Sequence, residues 1–397
     1  MEPRASLGPL AGFRVLDCSR VLAGPFAAML LGDLGADVVK LEPPAGDESR
    51  TWGPPFWGDP RAGLSAYYAA VNRNKRGIAV DLRTDAGRDV LDRLAHGSRL
   101  LVHNFRPGTA ARLGLGAERL AARHPHLVVA SVGGFPGDGA ARERPAYDLL
   151  AQAVSGLMSV TGEPDGTPTK VGVAVLDLLA GLELALGAVA ALVPRAAAGR
   201  RVEVSLVEAG VTSLVNVLAN RLASGDEPRR HGNAHPNIAP YQAFEARDGH
   251  LVVAVGNDAQ FAALLEVLDL PADARFASNA DRLANRLQLT AMLTAAIAGR
   301  GRDELVAALL ARDVPAGPVH SVGEALGTMQ DAHGGAWLEE AGEMRLAPSP
   351  IRLDGERTAM RLAPPRLGQH SAELLAEAGY APAQIAALID SGVVRQA

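Results

Sequence analysis

The first half of the chain alternates short β-rich runs with helical segments, and this alternation limits the folds that the sequence can adopt. Residues 13–17 read FRVLD and residues 37–41 read DVVKL, with a helical segment between them that ends near Gly35. Consecutive parallel strands are joined by right-handed connections, so units of this kind build a parallel sheet. The pattern continues to about Val207. We therefore predict an α/β protein with a large Rossmann-like domain.

The pattern changes after this part, and the change predicts a second domain. One long helix is predicted at 207–223, and residues 224–237, SGDEPRRHGNAHPN, are polar and turn-rich, as linkers are. Short strands such as HLVVAV (250–255) alternate with helices beyond it, which predicts a smaller α+β domain over 238–325. The remaining segment, 326–397, is predicted to return and complete the large domain of residues 1–223.

Overall composition disfavours several classes of function. A net charge of −5 gives no sign of a nucleic-acid partner. The single cysteine, Cys18, suits a buried position in a reducing compartment. The N-terminal residues lack a signal pattern, and Glu183 interrupts the longest apolar run, which favours a core helix over a membrane span. We expect a cytoplasmic protein without membrane contact.

That apolar run, VGVAVLDLLAGLELALGAVAALV at 171–193, holds one carboxylate near its start, Asp177. A carboxylate in such surroundings must be hydrogen-bonded, paired or used, because desolvating an uncompensated charge is costly. One interpretation makes Asp177 the N-cap of a buried helix. The other makes it a nucleophile at a helix start, where backbone N–H groups favour an anion. The two roles are compatible with each other.

Cofactor motifs are sparse. The loop after the first strand reads RVLAGPFAA and lacks the glycine pattern of a nicotinamide site, and the histidines lack metal-ligand spacing. We therefore expect neither a nicotinamide nor a metal. Basic residues concentrate in NRNKRG (72–77) and NFRPGTAARLG (104–114), where cations could receive phosphates and Phe105 could stack on adenine. A solvated basic surface is the alternative.

Several ordered segments together resemble the class III CoA-transferase family. They are LAGFRVLDCSRVLAGPFAAMLLGDLGADVVKLEPP, YYAAVNRNKRGIAVDL, NFRPGTAARLGL, RPAYDLLAQAVSGLMSVTG, GVAVLDLLAG and PPRLGQHSAELLAEAGY. The resemblance runs from about Leu10 to the C-terminus. TWGPPF (51–56) and GNAHPNIAPYQAF (232–244) are most similar to the branch of the succinyl-CoA–glutarate and related dicarboxylate enzymes.

The resemblance implies coenzyme A as the bound group and Asp177 as the nucleophilic carboxylate. It also implies an interlocked homodimer. The positions that it matches to CoA contacts are Val21, Ala23, Lys75, Asn104, Phe105, Arg112 and Tyr147. Pro43 and Pro44 replace the basic residue that related transferases often carry after the second strand.

Within the family, CoA transfer is favoured over racemisation. Racemases pair the aspartate with a histidine, whereas this chain has Tyr147 there, and a phenol is a poor proton-transfer partner at neutral pH. The expected donor is succinyl-CoA and the expected acceptor a short dicarboxylate, with Arg50, Arg142 and Arg144 as candidate partners of the distal carboxylate. Backbone N–H groups near Gly133 and Gly134 are candidate oxyanion donors. An acyl-CoA racemase and a non-catalytic CoA-binding protein remain as alternatives.

Overall fold

The computed structural model describes residues 8–62, 64–193 and 200–397. The chain divides into two units. The first unit extends to Ser155 and also contains Val171–Ser213 and Ala336–Ala397. The second unit contains Gly156–Lys170 and Leu214–Gly335.

The described residues form the following elements. The strands are β1 (Arg14–Asp17), β2 (Asp37–Glu42), β3 (Lys75–Val80), β4 (Leu100–His103), β5 (Val128–Gly133), β6 (Arg201–Ser205), β7 (Tyr241–Ala246), β8 (Gly249–Ala254), β9 (Ala316–Pro318), β10 (Glu339–Ala341), β11 (Met344–Leu346), β12 (Arg352–Leu353), β13 (Glu356–Arg357) and β14 (Val394–Arg395). The helices are α1 (Ala23–Asp33), α2 (Ala66–Ala69), α3 (Asp85–His96), α4 (Pro107–Arg112), α5 (Ala117–Arg123), α6 (Asp148–Val154), α7 (Leu157–Val160), α8 (Val175–Leu192), α9 (Leu206–Thr212), α10 (Val215–Ser224), α11 (Asp258–Val267), α12 (Asn279–Ala284), α13 (Arg286–Ile297), α14 (Arg302–Leu310), α15 (Val322–Ala332), α16 (Ser371–Glu377) and α17 (Pro382–Asp390).

The first unit is built on a seven-stranded sheet with the order β14-β3-β2-β1-β4-β5-β6. Strands β1 to β6 are parallel, and β14 is added antiparallel beside β3. Inner strands of this sheet are largely buried, as in β4, where all four residues are buried, whereas the edge strand β6 leaves Arg201 and Glu203 exposed. The predicted α/β class with a parallel sheet is confirmed.

The C-terminal segment completes this sheet. Val394 pairs with Val80, and the side chains of Leu374, Leu375 and Tyr380 join the same apolar core as the strand residue Leu16. The edge strand β3 therefore gains its outer neighbour from the last residues of the chain.

Helix α8 carries Asp177 in its first turn and packs closely on α1. A Cβ at Gly181 would lie 2.7 Å from the carbonyl oxygen of Ala23, so glycine is needed where the two helices meet. The helix also contacts β5 and β6. By length and composition α8 resembles a membrane-spanning helix, a test that core helices also pass.

The second unit has its own core. Strands β7, β8 and β9 form an antiparallel sheet, and helices α11, α13 and α14 contribute apolar side chains to a core that includes Leu251, Phe261, Leu264, Leu293 and Leu309. Local hydrogen bonds fix the helix starts, as in α12, where Ser278 and Asp281 form a capping box.

The units differ from the predicted domain boundaries in three places. Residues 156–170 and 214–223 group with the second unit, and the return segment begins at Ala336 rather than at 326. Arg230 explains the first difference, because its guanidinium donates to the carbonyl oxygens of Glu163 (3.0 Å) and Gly166 (2.6 Å). These bonds tie 156–170 to the predicted linker.

The prediction of one helix over 207–223 is wrong. The structure has two helices, α9 and α10, that are separated at Ser213 and Leu214. Val215 has a φ of 40°, which a continuous α-helix does not allow. The break coincides with the boundary between the units, which the apolar periodicity of the segment does not reveal.

Candidate active site

A cavity of about 640 Å³ lies at the carboxyl edge of the large sheet, within the first unit. Its lining includes the loop after β1, the end of β4 at His103, the end of β5 at Gly133 and the end of β6 at Ser205. Open parallel sheets place ligands at this edge, and the volume suits a small-molecule site.

Asp177 lies in the wall of this cavity. It is the third residue of α8, and only 9% of its surface is exposed. The prediction that Asp177 caps the helix is wrong, because Ala174 occupies the N-cap position. Among the described residues no hydrogen bond to the Asp177 carboxylate is found. The carboxylate is therefore available to a ligand.

The capping role belongs to Asp148, the first residue of α6. Its Oδ1 accepts the backbone N–H of Leu176 at 2.9 Å, in the first turn of α8. Its Oδ2 accepts Nε2 of Gln152 at 2.6 Å, and Oε1 of Gln152 accepts the N–H of Val171 at 2.9 Å. Asp148 and Gln152 thus satisfy backbone donors around the start of α8 and fix the helix that presents Asp177.

The electrostatic environment of Asp177 opposes its ionisation. Burial raises its pKa to about 7, and the nearby negative charge of Asp148 adds to the effect. Tyr67 lies in the same environment: burial and the charge of Asp177 raise its pKa to about 12. Tyr67 therefore remains a neutral phenol near the carboxylate at physiological pH.

The loop after β1 has an unusual backbone at Val21, one of the predicted CoA contacts. Val21 has a φ of 68°, a conformation that a β-branched residue rarely adopts. Val21 and Ala23 both line the cavity. Asn104 braces the residue before Val21, since its Oδ1 accepts the N–H of Arg20 (2.9 Å) and its Nδ2 donates to the carbonyl of Arg20 (2.7 Å).

Several other predicted residues also line the cavity. Phe105 lines the cavity, and the guanidinium of Arg20 lies 5.4 Å from its ring centroid. The lining also includes several residues of the predicted set, namely Gly133, Gly134, Arg142, Arg144 and Tyr147. A Cβ at Gly134 would lie 2.3 Å from the Cβ of Ala146, so glycine allows the segment before Tyr147 to approach β5.

Two predicted ligand contacts are buried away from the cavity. Lys75 donates to Asp17 Oδ2 (2.8 Å), the carbonyl of Pro25 (2.8 Å) and Asn72 Oδ1 (2.9 Å), and burial lowers its pKa to about 8. Arg50 donates to both carboxylate oxygens of Glu42, at 2.7 and 2.6 Å. Both cations neutralise buried carboxylates, so neither is placed to contact a ligand.

Arg112 is also outside the cavity lining. Its side chain is exposed and donates to Thr109 Oγ1 at 3.1 Å. The conformation described here therefore gives Arg112 no contact with a molecule in the cavity.

Some residues at the site were not identified from the sequence. His103 lines the cavity in neutral form, because burial lowers its pKa to about 4. Glu48 lies at the rim, where its Oε2 accepts Arg20 Nη1 at 2.9 Å and its Oε1 lies 3.4 Å from the Tyr147 hydroxyl. The sequence around Glu48 carries no motif that marks this residue, and its contacts are with Arg20 and Tyr147, which are distant in the chain. Within residues 8–62, 64–193 and 200–397, no group of three or more His, Cys, Asp and Glu side chains could hold a metal ion.

Comparisons with known sequences and structures find similarity over most of this chain. A family model described as CoA-transferase family III matches residues 10–371. Succinyl-CoA:glutarate CoA-transferase of Mus musculus is 38% identical over 98% of this chain and 91% of its own length. Succinate–glutarate CoA-transferase of Agrobacterium fabrum is 38% identical over 93% of this chain and 95% of its own. A crystal structure of a CAIB/BAIF family protein from Brucella suis has a TM-score of 0.83 and 39% identity, covering 94% of this chain and 99% of that one.

Proposed function

This chain belongs to CoA-transferase family III and is an enzyme that moves CoA between carboxylic acids, and we propose that Asp177 carries the CoA during transfer. The observation that carries the proposal is a buried carboxylate, in the wall of a cavity, with its pKa raised to about 7 and with no protein hydrogen bond among the described residues. A poorly solvated carboxylate is a stronger nucleophile than one in water.

The proposed reaction proceeds through two kinds of intermediate. A carboxylate oxygen of Asp177 attacks the thioester carbon of the donor, the C–S bond breaks, and a mixed anhydride and CoA thiolate form. The thiolate then attacks the Asp177 carbonyl carbon, the bond between that carbon and the bridging oxygen of the anhydride breaks, and the donor acid leaves as a carboxylate with that oxygen. Asp177 now holds CoA as a thioester.

The second half reverses these steps with the acceptor. An acceptor carboxylate attacks the Asp177 thioester, forms a new mixed anhydride and releases the thiolate. The thiolate attacks the acceptor acyl carbon, which gives the new acyl-CoA and restores the Asp177 carboxylate. Each step exchanges one activated acyl bond for another, so the main requirement on the protein is to keep water from the anhydride.

We assign CoA to the cavity at the carboxyl edge of the sheet. Val21, Ala23 and Phe105 line it, and Arg20 and Arg106 supply cations for the phosphates. Arg142 and Arg144 remain the candidates for the distal carboxylate of the substrate, since Arg50 is occupied by Glu42.

We propose succinyl-CoA as donor and a short dicarboxylate as acceptor, because relatives that are 38% identical are named as succinyl-CoA:glutarate or succinate–glutarate CoA-transferases. Incubating the enzyme with succinyl-CoA and a panel of acids, with products identified by mass, tests this. Glutarate should exceed pentanoate, which has the same chain length but no distal carboxylate, by at least about 100-fold in kcat/KM. Equal rates would contradict a dicarboxylate site.

The same assay separates the alternatives. A racemase would exchange the α-hydrogen of an acyl-CoA with deuterium from D₂O without any acceptor acid. A non-catalytic CoA-binding protein would give neither product. We expect transfer without α-exchange, since Tyr147 rather than histidine stands beside the site.

We also propose that the enzyme is a homodimer, as the resemblance implies. The first unit exposes apolar side chains on α6 and α8, including Leu149 (55% exposed), Val154 (52%), Leu182 (48%) and Leu186 (72%). Exposed apolar surface of this kind is typical of a protein interface.

Light scattering should give twice the chain mass, and Leu186→Glu should weaken association. Leu287→Glu, at a leucine of the second unit that is 82% exposed, is the control. A wild-type mass of one chain at micromolar concentration would contradict the proposal.

A further inference from the structure

The cavity loop at 19–21 is held by side chains that do not line the cavity. Val21 lies between β1 and α1 and has a left-handed backbone conformation. For an L-residue with a branched Cβ, the left-handed conformation is about 5 to 30 times less populated than the right-handed one. Some contact must therefore compensate for it.

Asp47 supplies that contact. The backbone N–H of Val21 lies 3.2 Å from Oδ1 and 3.1 Å from Oδ2 of Asp47. Oδ1 also accepts the backbone N–H of Ser49 at 3.0 Å and its hydroxyl at 2.8 Å. Asp47 is 4% exposed, so these bonds form away from solvent. The carboxylate thus fixes the direction of the Val21 N–H.

Lys40 anchors the carboxylate and the loop together. Its Nζ lies 3.1 Å from Asp47 Oδ2 and donates to the carbonyl of Ser19 at 2.6 Å. The Lys40 side chain is fully buried. Burial opposes the ionisation of Asp47, but the charge of Lys40 and the bonds from Ser49 outweigh it and hold the pKa of Asp47 below its ordinary value. The pair is therefore charged at neutral pH.

We propose that the buried pair Asp47–Lys40 is a positioning device that keeps Val21 in its left-handed conformation and so holds the 19–21 backbone in the shape that receives acyl-CoA. This inference rests on the proposed function in assigning CoA to the cavity. Asp47 and Lys40 do not line the cavity themselves, and they act through the loop.

The role of Val21 gives the proposal a specific test. Glycine adopts a positive φ without strain, so a glycine at 21 does not need the clamp. Asp47→Asn removes the negative charge nearest to Lys40 and replaces one acceptor oxygen by a donor, while Asp17 Oδ2, 4.0 Å from Nζ, remains as a second charge partner. The substitution should raise the Kd of CoA and the KM of succinyl-CoA about 10-fold with a smaller effect on kcat. In a Val21→Gly background the same substitution should change both constants by less than about twofold.

The comparison between the two backgrounds decides the proposal. An equal effect of Asp47→Asn with valine and with glycine at 21 would overturn it, as would no effect with valine. If Asp47→Asn does not fold, Asp47→Ser keeps a residue that can cap the 3₁₀ turn at Glu48–Thr51 and is tested in the same pair of backgrounds. Wild-type protein that binds no CoA in calorimetry would instead contradict the proposed function.

Discussion

Replacing Asp177 by alanine should lower the rate of CoA transfer by about 10⁴-fold or more. The substitution removes the carboxyl group, whose oxygen forms the anhydride and whose carbon forms the thioester, and other carboxylates that line the cavity, such as Glu48 and Glu208, lie outside α8. CoA binding should persist, because the loop after β1 and the ring of Phe105 are unchanged. The measurement is kcat/KM for transfer from succinyl-CoA, together with the Kd of CoA by calorimetry.

Glu183→Ala is the matched control. Glu183 is an exposed carboxylate in the same helix, and it does not line the cavity. Its replacement should leave the transfer rate within about twofold of wild type, as exposed substitutions usually do. Transfer by the Asp177→Ala variant at a rate close to that of wild type would contradict the assignment of Asp177 as the nucleophile.

The pH dependence of kcat/KM should follow the ionisation of Asp177. Burial, with the charge of Asp148, raises its pKa to about 7, so the reactive carboxylate is depleted as pH falls through 7. Below that value kcat/KM should fall about tenfold per pH unit, because only the ionised form attacks. Above it the profile should level off.

Asp148→Asn tests the cause of that shift. The substitution removes the negative charge but keeps an oxygen that can accept the Leu176 N–H, so the midpoint should move to lower pH while α8 keeps its cap. Glu183→Gln should leave the midpoint unchanged. A profile that is flat between pH 5.5 and 8, or a midpoint that Asp148→Asn does not move, would contradict this electrostatic account.

The parallel sheet could be predicted from sequence because its strands are short, apolar and locally encoded. The N-terminal cap of α8 could not. Asp148 lies 28 residues before Leu176, and capping from another helix leaves no local pattern. Sequence reasoning therefore gave the cap to Asp177, the nearest suitable residue. The resemblance pointed to Asp177 as nucleophile, and its place in the cavity wall is compatible with that role.

Lys75 was predicted to contact a ligand, but it binds a buried carboxylate. Its place in NRNKRG suggested a phosphate contact, and the resemblance matched it to a CoA contact, but the structure buries it against Asp17. Composition distinguishes lysine from arginine without showing whether the ammonium faces a ligand or a buried carboxylate. The contact that holds Val21 also leaves no local pattern in the sequence. The Val21 N–H is bound by Asp47, which lies 26 residues further along the chain.

Covalent attachment of CoA to Asp177 can be detected by measuring peptide masses. Wild-type enzyme is mixed with succinyl-CoA without acceptor, reduced with borohydride and digested. We expect the peptide that contains Asp177 to carry the reduced side chain, and we expect no modified peptide from the Asp177→Ala variant. Transfer activity with an unmodified Asp177 peptide, or with modification at another carboxylate, would contradict the attachment of CoA to Asp177.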